Sequence, residues 1–389
     1  MKKRYNFPAL YFEATRLCNL NCDICMTGSN DARKVRESLK RQLTKDEIVE
    51  KVLQGGKEIG SFQLGISGGE FLLRNDAIDI VKAAADLDYE TKIVTNGTLL
   101  TDEVLTDLKK AAGKKLVLAF GINSISDEAL NKETRDLELS TILEAMELCK
   151  KHDVTRHVVV NIGKYNKETL KETFEWLYNN RIPFNRSPFV ARNSGKNFFK
   201  EMGYSRDDME NYLHPALVEQ MIGYISYTPF FLSPEVHAEV SGGECWNVTA
   251  PQNPSIGCWV GTWVGVSAEG DVSPCATLLD ELTAGNVREK SLYDIIDQSE
   301  IFKRILDRNK LKGKCGRCRY KFTCGGCRAI AYYHTGDYMA ADPSCFFEPV
   351  DETTVAEQEE LTNSNFRKYA RLVMQVGLYD PSKRNKVEV

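Results

Sequence analysis

The sequence lacks both an excess of positive charge and any long apolar run. Its 51 Lys and Arg residues are outnumbered by 55 Asp and Glu residues, for a net charge of −4 at pH 7. Phosphate binding normally shows as a basic surplus, so this balance argues against a nucleic-acid partner. No apolar stretch reaches the roughly 18 residues of a membrane-spanning helix, and residues 1–5 lack the apolar core of a signal peptide. We therefore expect a cytoplasmic protein with no membrane partner.

Cysteine, in contrast, is plentiful, with 12 in 389 residues. In a reducing compartment, repeated C-x2-C spacings favour metal binding over disulfides. Cys18, Cys22 and Cys25 follow the strand-like segment 9–13 and lie within eight residues. Structural zinc and ordinary four-iron clusters take four protein ligands, so a three-cysteine site leaves one metal position open to a substrate or cosubstrate. The spacing therefore indicates catalysis; the alternative is a set of buried free thiols or half of a zinc site.

Short β-branched runs alternate with amphipathic segments of helical period from residue 9 to about residue 195, a pattern that predicts βα units and a parallel sheet. Strands are predicted at 10–13, 62–67, 91–95, 116–122, 157–162 and 187–190, and helices near 44–56, 75–87, 102–112, 139–152 and 167–179. The fold class is therefore α/β, with a partial (β/α)6 TIM-like barrel. In barrels the reacting groups gather at the carboxyl ends of the strands.

The three-cysteine motif resembles that of the radical S-adenosylmethionine (SAM) enzymes, in which three cysteines hold a [4Fe–4S] cluster and SAM chelates the fourth iron. An electron from the cluster cleaves SAM to a 5′-deoxyadenosyl radical, which abstracts a hydrogen atom from the substrate. The resemblance implies that Cys18, Cys22 and Cys25 are the cluster ligands. It extends to the second and third strand ends, where the expected SAM-binding residues are Gly68, Gly69, Glu70 and Asn96. The glycines permit close backbone approach, and Glu70 offers an acceptor to the SAM ammonium group.

The end of the fourth strand departs from this family pattern. The usual Ser-hydrophobic-Asp-Gly is replaced by residues 121–124, Gly-Ile-Asn-Ser, so the expected serine hydroxyl is missing. We expect Asn123 to bond the SAM ribose, and Arg135 aligns with an arginine that contacts the SAM carboxylate in relatives. Asn161 and Arg192, at the next two strand ends, are further candidates. The alternatives are a surface helix-end cation for Arg135 and structural roles for Asn161 and Arg192.

Eight further cysteines lie between residues 245 and 345, and Cys149 stands alone in a helical pattern as an expected core thiol. Residues 269–271, Glu-Gly-Asp, separate two Val-rich stretches and predict a β-hairpin that brings Cys258 and Cys275 together. The later run Cys315-x2-Cys318-x5-Cys324-x2-Cys327 would by itself also suit a zinc ribbon or knuckle.

The hairpin and the extra cysteines make this region similar to the SPASM domain, a C-terminal extension of radical SAM enzymes that carries up to two auxiliary [4Fe–4S] clusters. The resemblance implies one cluster on Cys258, Cys275 and Cys327, with Cys245 as the spare candidate for its fourth ligand. It implies a second cluster on Cys315, Cys318, Cys324 and Cys345. Segments 284–292, 324–329, 335–338 and 342–345 resemble the enzymes of haem d1 and alternative haem synthesis, and the pyrroloquinoline quinone and mycofactocin maturases share parts of the pattern.

These patterns divide the chain into a radical SAM barrel (1–195), an aromatic-rich bridging region (196–240), a SPASM domain (241–350) and a C-terminal helix with a tail (351–389). The bridging region is expected to pack between the two domains; the alternative is that it lines a substrate cavity there.

We expect a radical SAM oxidoreductase that oxidises its substrate radical through the auxiliary clusters. The expected substrate is a peptide, in ribosomal-peptide maturation, or a cofactor precursor, and the electron donor is of the flavodoxin or ferredoxin type. Only 17 residues precede Cys18, so a leader peptide would need a separate binding protein. The alternatives are tetrapyrrole side-chain modification, a formylglycine-forming sulfatase maturase and, outside enzymes, a zinc-binding interaction protein.

Overall fold

The computed structural model of the chain describes residues 5, 7–213, 215–216, 258, 260–261, 263–318, 321 and 324–346. Cys245, the later part of the bridging region and the expected C-terminal helix lie outside these residues. None of the helices within the described ranges combines the length and apolar character needed to span a bilayer. The strands are β1 Ala9–Thr15, β2 Gln63–Gly68, β3 Glu90–Thr95, β4 Leu116–Gly121, β5 Thr155–Ile162, β6 Phe184–Pro188, β7 Trp263–Val266, β8 Asp271–Ser273 and β9 Gly285–Asn286.

The helices lie between the strands and after the last one. They are α1 Ala32–Arg41, α2 Lys45–Glu47, α3 Gly55–Glu58, α4 Ala77–Asp86, α5 Asp102–Ala112, α6 Glu128–Arg135, α7 Leu139–Lys151, α8 Leu170–Asn179, α9 Gly195–Met202, α10 Arg206–Asp208, α11 Leu292–Gln298, α12 Glu300–Ile305, α13 Gly313–Arg317 and α14 Arg328–Thr335. The π-helical stretch Ile48–Gln54 joins α2 to α3, and a second, Met209–Leu213, follows α10.

Within the described residues the nine strands form one sheet, in the order β6-β5-β4-β3-β2-β1-β7-β8-β9. The first six strands pair in parallel with their sequence neighbours, which confirms the α/β class and the predicted βα units. Along β1, Leu10 and Phe12 belong to the apolar core, whereas Ala9 and Tyr11 line a cavity on the opposite face. This alternation follows from the two-residue period of a strand and gives the sheet an apolar outer layer and a partly polar interior.

The predicted hairpin is present, because β7 and β8 are antiparallel and Gly270 donates to the Ser267 carbonyl in the turn between them. The sequence did not predict that β7 also pairs in parallel with β1, in the register Ala9↔Trp263 to Phe12↔Val266. The hairpin therefore extends the barrel sheet rather than forming a separate one. This pairing places the second cysteine region against the barrel.

Two further differences concern the sixth strand and the bridging region. The strand predicted at 187–190 begins earlier, at Phe184, because the ring of Phe184 stacks on Phe174 of α8 at 5.2 Å and fixes that end of the strand in the core. In the described part of the bridging region, Phe199 of α9 lies 6.3 Å from Phe189 and 4.9 Å from His334 of α14, as ring centroids. These contacts join the barrel end to the second cysteine region, and the packing role of the whole bridging region stays a prediction.

Candidate active site

The first cysteine group lies on a coiled loop that leaves the carboxyl end of β1. Backbone bonds from Cys25 N–H to the Cys22 carbonyl and from Gly28 N–H to the Cys25 carbonyl curl the loop. The amide N–H groups of Leu20 and Ser29 donate to the sulfurs of Cys18 and Cys25 at 3.5 and 3.3 Å. Burial raises the pKa of Cys22 to about 12, and the charges of Cys25 and Cys18 add to that shift, so the three thiols are electrostatic neighbours. Backbone donors aimed at the sulfurs would stabilise thiolates once a metal replaces the protons.

Gly68 and Gly69 end β2 against the backbone that leads into this loop. A Cβ atom on Gly68 would overlap the Thr15 carbonyl oxygen, and one on Gly69 would overlap the Leu17 carbonyl oxygen. Gly69 N–H donates to the Thr15 carbonyl at 2.7 Å. In the structure, the close approach that the two glycines permit is therefore to the cysteine loop itself.

Glu70 is fully buried and links the ends of β2 and β3. Its carboxylate accepts hydrogen bonds from Asn96 N–H at 2.8 Å, from the Thr95 hydroxyl at 3.0 Å and from Leu72 N–H at 3.1 Å. Burial raises the pKa of Glu70, and these three donors oppose that shift. The carboxylate thereby positions Asn96, whose side-chain amide lies 3.9 Å from the Cys18 sulfur. A role for Glu70 in binding the SAM ammonium group stays a prediction.

Arg135 ends α6 beside the cysteine loop, and its carbonyl oxygen accepts from the Cys22 thiol at 2.8 Å. Its guanidinium packs on Gly121, where a Cβ atom would overlap it. Its Nε is buried and has no hydrogen-bond partner among the described residues. The geometry therefore places this cation at the end of β4 and not on the outer surface. The SAM carboxylate remains its predicted ligand.

Asn123 and Asn161, the asparagine candidates at the fourth and fifth strand ends, differ in how far their side chains are already bonded. Asn123 is buried and donates to the Thr134 hydroxyl at 2.8 Å, while its Oδ1 finds no partner in the described ranges. Asn161 accepts from the Tyr165 hydroxyl at 2.8 Å. Asn123 thus keeps a buried acceptor for a ligand, whereas the Asn161 side-chain oxygen is bonded within the protein.

Arg192 is the centre of a buried ion-pair network. Its guanidinium bonds both oxygens of Glu13 on β1, at 2.5 and 2.8 Å, and Asp280 at 2.7 Å. Arg16 bonds Asp280 at 2.6 Å and Glu269 at 3.1 Å. Burial raises the pKa of Asp280, but the charges of Arg192 and Arg16 outweigh burial and hold that pKa well below its usual range. These contacts indicate the structural role for Arg192 that the sequence analysis left open.

The later cysteines divide into two groups. Cys258, Cys275 and Cys327 line one cavity. Burial is the main cause that raises the pKa of Cys327, and the charges of Cys258 and Cys275 raise it further. A second hollow is lined by Cys315, Cys318, Cys324 and Cys345. Burial raises the pKa of Cys324, and the charges of the other three cysteines raise it further. The Cys258 amide donates to the Cys324 carbonyl at 2.9 Å, which links the groups. Among the described residues, no three Cys, His, Asp or Glu side chains converge closely enough to share one metal ion; in a four-iron cluster each thiolate binds its own iron.

The first of these groups opens into a cavity of about 240 Å³ inside the barrel. Its walls include residues of all six barrel strands together with the three cysteines. Two cations line it: burial lowers the pKa of Lys92 to about 8 and that of Arg186 to about 9. Glu90, another lining residue, accepts from the Gln63 amide at 3.0 Å. The cavity therefore combines apolar walls, buried positive charge and one group of thiols.

Comparison with known proteins identifies the family. The family model of the radical SAM superfamily matches residues 12–177, and that of the SPASM iron-sulfur cluster-binding domain matches residues 258–319. The AdoMet-dependent heme synthase of Methanosarcina barkeri is 31% identical, over 88% of this chain and 98% of the relative. The chain belongs to the radical SAM superfamily.

Two further proteins are also similar to this chain, one in sequence and one in fold. A PqqA peptide cyclase from Bradyrhizobium diazoefficiens is 27% identical, over 90% of this chain and 89% of the relative. The structure of Streptococcus suis SuiB bound to S-adenosylmethionine is similar in fold, with a TM-score of 0.65 at 17% identity, over 88% of this chain and 78% of that one. These comparisons confirm a radical SAM enzyme with a SPASM domain, which binds SAM, a [4Fe–4S] cluster and auxiliary Fe–S clusters.

The residues of this radical SAM chain fit those groups. Three half-buried thiols, two of which accept from backbone amides, suit a cluster. Arg135 Nε and Asn123 Oδ1, which have no hydrogen-bond partner among the described residues, are the kinds of buried atom that a carboxylate and a hydroxyl would satisfy.

Sequence reasoning missed Glu13, Arg16, Asp280 and the cavity cations. A signal existed for two of them, because Glu13 interrupts an apolar strand and Lys92 interrupts a β-branched one. Charges at such positions face either a partner or a cavity.

Proposed function

We propose that this radical SAM enzyme oxidises a peptide or cofactor-precursor substrate held in the barrel cavity. The observation that supports the proposal is that one cavity is lined both by the barrel strands and by the cysteines assigned to the first auxiliary cluster, Cys258, Cys275 and Cys327. A substrate radical formed there would lie beside the first auxiliary cluster. That arrangement favours removal of an electron over return of a hydrogen atom.

We assign Cys18, Cys22 and Cys25 to the SAM cluster. Cys258, Cys275 and Cys327 are assigned to the first auxiliary cluster, with Cys245 as a further candidate ligand, and Cys315, Cys318, Cys324 and Cys345 to the second. When bound, the SAM cluster and SAM supply the 5′-deoxyadenosyl radical, and the auxiliary clusters supply a route for the electron.

The chain's own residues hold and orient SAM. Arg135 is proposed to bind its carboxylate, because that guanidinium is turned onto the strand end and keeps a buried donor. Asn123 is proposed to bond its ribose through the unpartnered Oδ1. Glu70 fixes Asn96 beside Cys18, and Gly68 and Gly69 let the loop close over β2. The orienting groups thus come from three consecutive strand ends.

Lys92 is proposed to hold a carboxylate of the substrate. Lys92 is partly buried in the cavity wall, and burial lowers its pKa to about 8, a value at which it is still protonated at neutral pH. A cation in the wall of a largely apolar cavity carries the charge that would recognise a substrate carboxylate. Arg186 adds a second positive charge to the same cavity.

This pair of cations also favours a second candidate function, the modification of carboxylate side chains on a tetrapyrrole. The heme synthase relative, which the chain matches over 98% of its length, gives this candidate its support. The peptide candidate is supported in turn by the PqqA peptide cyclase relative. Both candidates use the same cavity and the same radical.

The test measures 5′-deoxyadenosine from the anaerobically reconstituted protein with SAM and dithionite, first alone, then with a candidate peptide and then with a carboxylated porphyrin. The true substrate should raise 5′-deoxyadenosine formation and yield an oxidised product by mass spectrometry. Lys92→Met should raise the KM for that substrate at least about tenfold while leaving substrate-free SAM cleavage unchanged. Lys82→Met on the exposed face of α4 is the matched control. Equal KM values in the two variants would remove Lys92 from the proposal.

A further inference from the structure

The short segment 324–327, Cys-Gly-Gly-Cys, joins the cysteine groups assigned to the two auxiliary clusters, because its first cysteine belongs to the second group and its last to the first. Gly325 and Gly326 have φ angles of 70° and 64°, a backbone region that favours glycine. Each glycine also packs against a guanidinium. A Cβ atom on Gly325 would overlap Arg308 Nη1, and one on Gly326 would lie 2.8 Å from Arg328 Nη2. The segment therefore leaves room for two cations beside the cysteines.

Arg308 lies where the two cysteine groups meet. Its guanidinium donates to the Cys324 carbonyl at 3.4 Å and to the Val260 carbonyl at 3.3 Å. Val260 is two residues after Cys258, and the same Cys324 carbonyl accepts from the Cys258 amide. Arg308 thus bonds the backbone at or beside one cysteine of each group. Carbonyl oxygens are neutral, so these bonds orient the guanidinium without cancelling its charge.

The electrostatic neighbours of Arg308 include cysteines of both groups. Burial lowers the pKa of Arg308, the charge of Cys258 opposes that shift, and the charge of Arg328 adds to it. Cys324 and Cys315, from the second group, also raise this pKa. A guanidinium keeps its proton in proteins, so Arg308 is a cation that faces thiols of the first group and of the second.

Arg328 is a second cation in this region, and it is fully buried. Its guanidinium donates to the carbonyl oxygens of Ala340 at 2.7 Å and Tyr338 at 3.0 Å. The Nη2 atom lies 3.9 Å from the Cys315 sulfur. Arg328 therefore contacts the second group, whereas Arg308 has neighbours in both.

Asp342 is a buried acid in the same region. Its carboxylate accepts from the Cys327 amide at 2.7 Å and from the Ser344 hydroxyl at 2.6 Å. Its negative charge raises the pKa of Cys327, to which burial and Cys258 contribute more. This one negative charge is set against the two positive charges of Arg308 and Arg328.

We propose that Arg308 is a counter-charge shared by the two auxiliary clusters and that it raises the reduction potential of both. A cluster held by thiolates gains one negative charge on reduction, so a nearby cation stabilises the reduced form. A higher potential makes the cluster a better acceptor for the electron that leaves the substrate radical. Arg308 acts through the clusters, so it is a positioning residue and not a catalytic one. The proposal rests on the proposed function for the presence of both auxiliary clusters.

The experiment measures reduction potentials in the full-length chain. The background is C18A/C22A/C25A, which removes the signal of the SAM cluster. After anaerobic reconstitution, the auxiliary clusters are titrated with dithionite in the presence of mediator dyes and followed by electron paramagnetic resonance. R308M is compared with R308K, because Met and Lys are similar in length and differ in charge. A further control is R304M, the same change at an exposed position of α12.

We expect the equilibrium constant for reduction of both clusters to fall about tenfold in R308M, which for a one-electron couple lowers the potential by about 59 mV. In R308K the charge is retained, and in R304M solvent screens the charge that is lost, so both should stay within about twofold of the background. A role of Arg308 in packing alone would not separate R308M from R308K in this way.

Equal potentials in R308M and R308K would overturn the proposal, and so would equal shifts in R308M and R304M. If R308M binds less iron than the background, R308Q, which keeps a hydrogen-bond donor, is titrated in its place. Loss of iron in both of these variants with full loading in R308K would support the need for the charge, whereas loss in all three would overturn the proposal. Absence of auxiliary clusters from the parent would refute the proposed function as well. Full loading with unchanged potentials would refute the role of Arg308 alone.

Discussion

Replacing Arg192 by glutamine should weaken the contact between the barrel and the second cysteine region, although the pairing of β7 with β1 remains. Arg192 and Glu13 are both fully buried, and two bonds of 2.5 and 2.8 Å join the guanidinium to the Glu13 carboxylate. Asp280 would keep its bond to Arg16 at 2.6 Å, so the main loss falls on Glu13. Removing one partner of a buried ion pair costs about 3–5 kcal/mol because the other charge stays buried without compensation. We expect a loss of about 3 kcal/mol or more in the free energy of unfolding, measured by urea denaturation.

A second readout, hydrogen exchange, locates the effect. Arg192 also donates to the Ala276 carbonyl at 3.2 Å, so R192Q should speed exchange in residues 276–280 more than in α5. The matched control is R288Q, because Arg288 bonds Glu47 at 2.7 and 2.8 Å but in an exposed position, where a pair contributes about 0–1 kcal/mol. The double variant E13Q/R192Q should recover part of the loss. The reasoning fails if R192Q costs no more than R288Q, or if exchange in residues 276–280 is unchanged.

Three other changes test the site. Gly69→Ala should lower the iron bound at the first cysteine group and abolish most SAM cleavage, because its Cβ would overlap the Leu17 carbonyl. The control Gly65→Ala should be tolerated, because its Cβ would have its nearest contact at 3.7 Å. Equal iron contents in the two variants would contradict this expectation. Cys318→Ser should lower the iron content by about four per chain while 5′-deoxyadenosine formation without substrate persists, and a loss of all SAM cleavage would contradict the assignment to a second auxiliary cluster. The pKa of Asp280 is lowered in the folded protein, so this carboxylate stabilises the fold at pH values above its ordinary pKa of 3.8, and the stabilisation is lost as the pH falls below 3.8. The free energy of unfolding in urea, measured from pH 6 to pH 3, should show this loss. In Asp280→Asn this part of the pH dependence should be absent.

Local patterns predicted most of the barrel, because each element carried its own signal. The α5 helix begins after Thr101, which caps it by accepting from Val104 N–H, and its predicted and observed bounds agree. In contrast, α1 was missed because only Val35 and Ser38 of its ten residues are buried, so no apolar stripe marks it. The sequence signal for the start of α1 was its N-cap residue, Asp31, whose carboxylate accepts from the amides of Arg33 and Lys34.

Long-range features left no local trace. The parallel pairing of β7 with β1 joins residues about 250 positions apart, and the sequence of 263–266 predicts only a hairpin. Likewise, Arg192 at a strand end could serve a ligand or a partner, and the choice depends on Glu13 and Asp280, which only the fold brings to it. The two cysteine groups, in contrast, were implied by family resemblance. Cys258, Cys275 and Cys327 line one cavity, and Cys315, Cys318, Cys324 and Cys345 line a second hollow, while their roles as cluster ligands stay a prediction and Cys245 lies outside the described residues.

The central claim is that this chain is a radical SAM enzyme with two auxiliary clusters. Anaerobic reconstitution, with iron and sulfide counted per chain, followed by addition of SAM and dithionite and quantification of 5′-deoxyadenosine, tests it most directly. The account predicts about twelve irons and SAM cleavage that persists at about four irons in a variant lacking the later cysteines. About four irons in the intact chain would contradict the electron route through the SPASM domain, and zinc without SAM cleavage would contradict the enzyme itself.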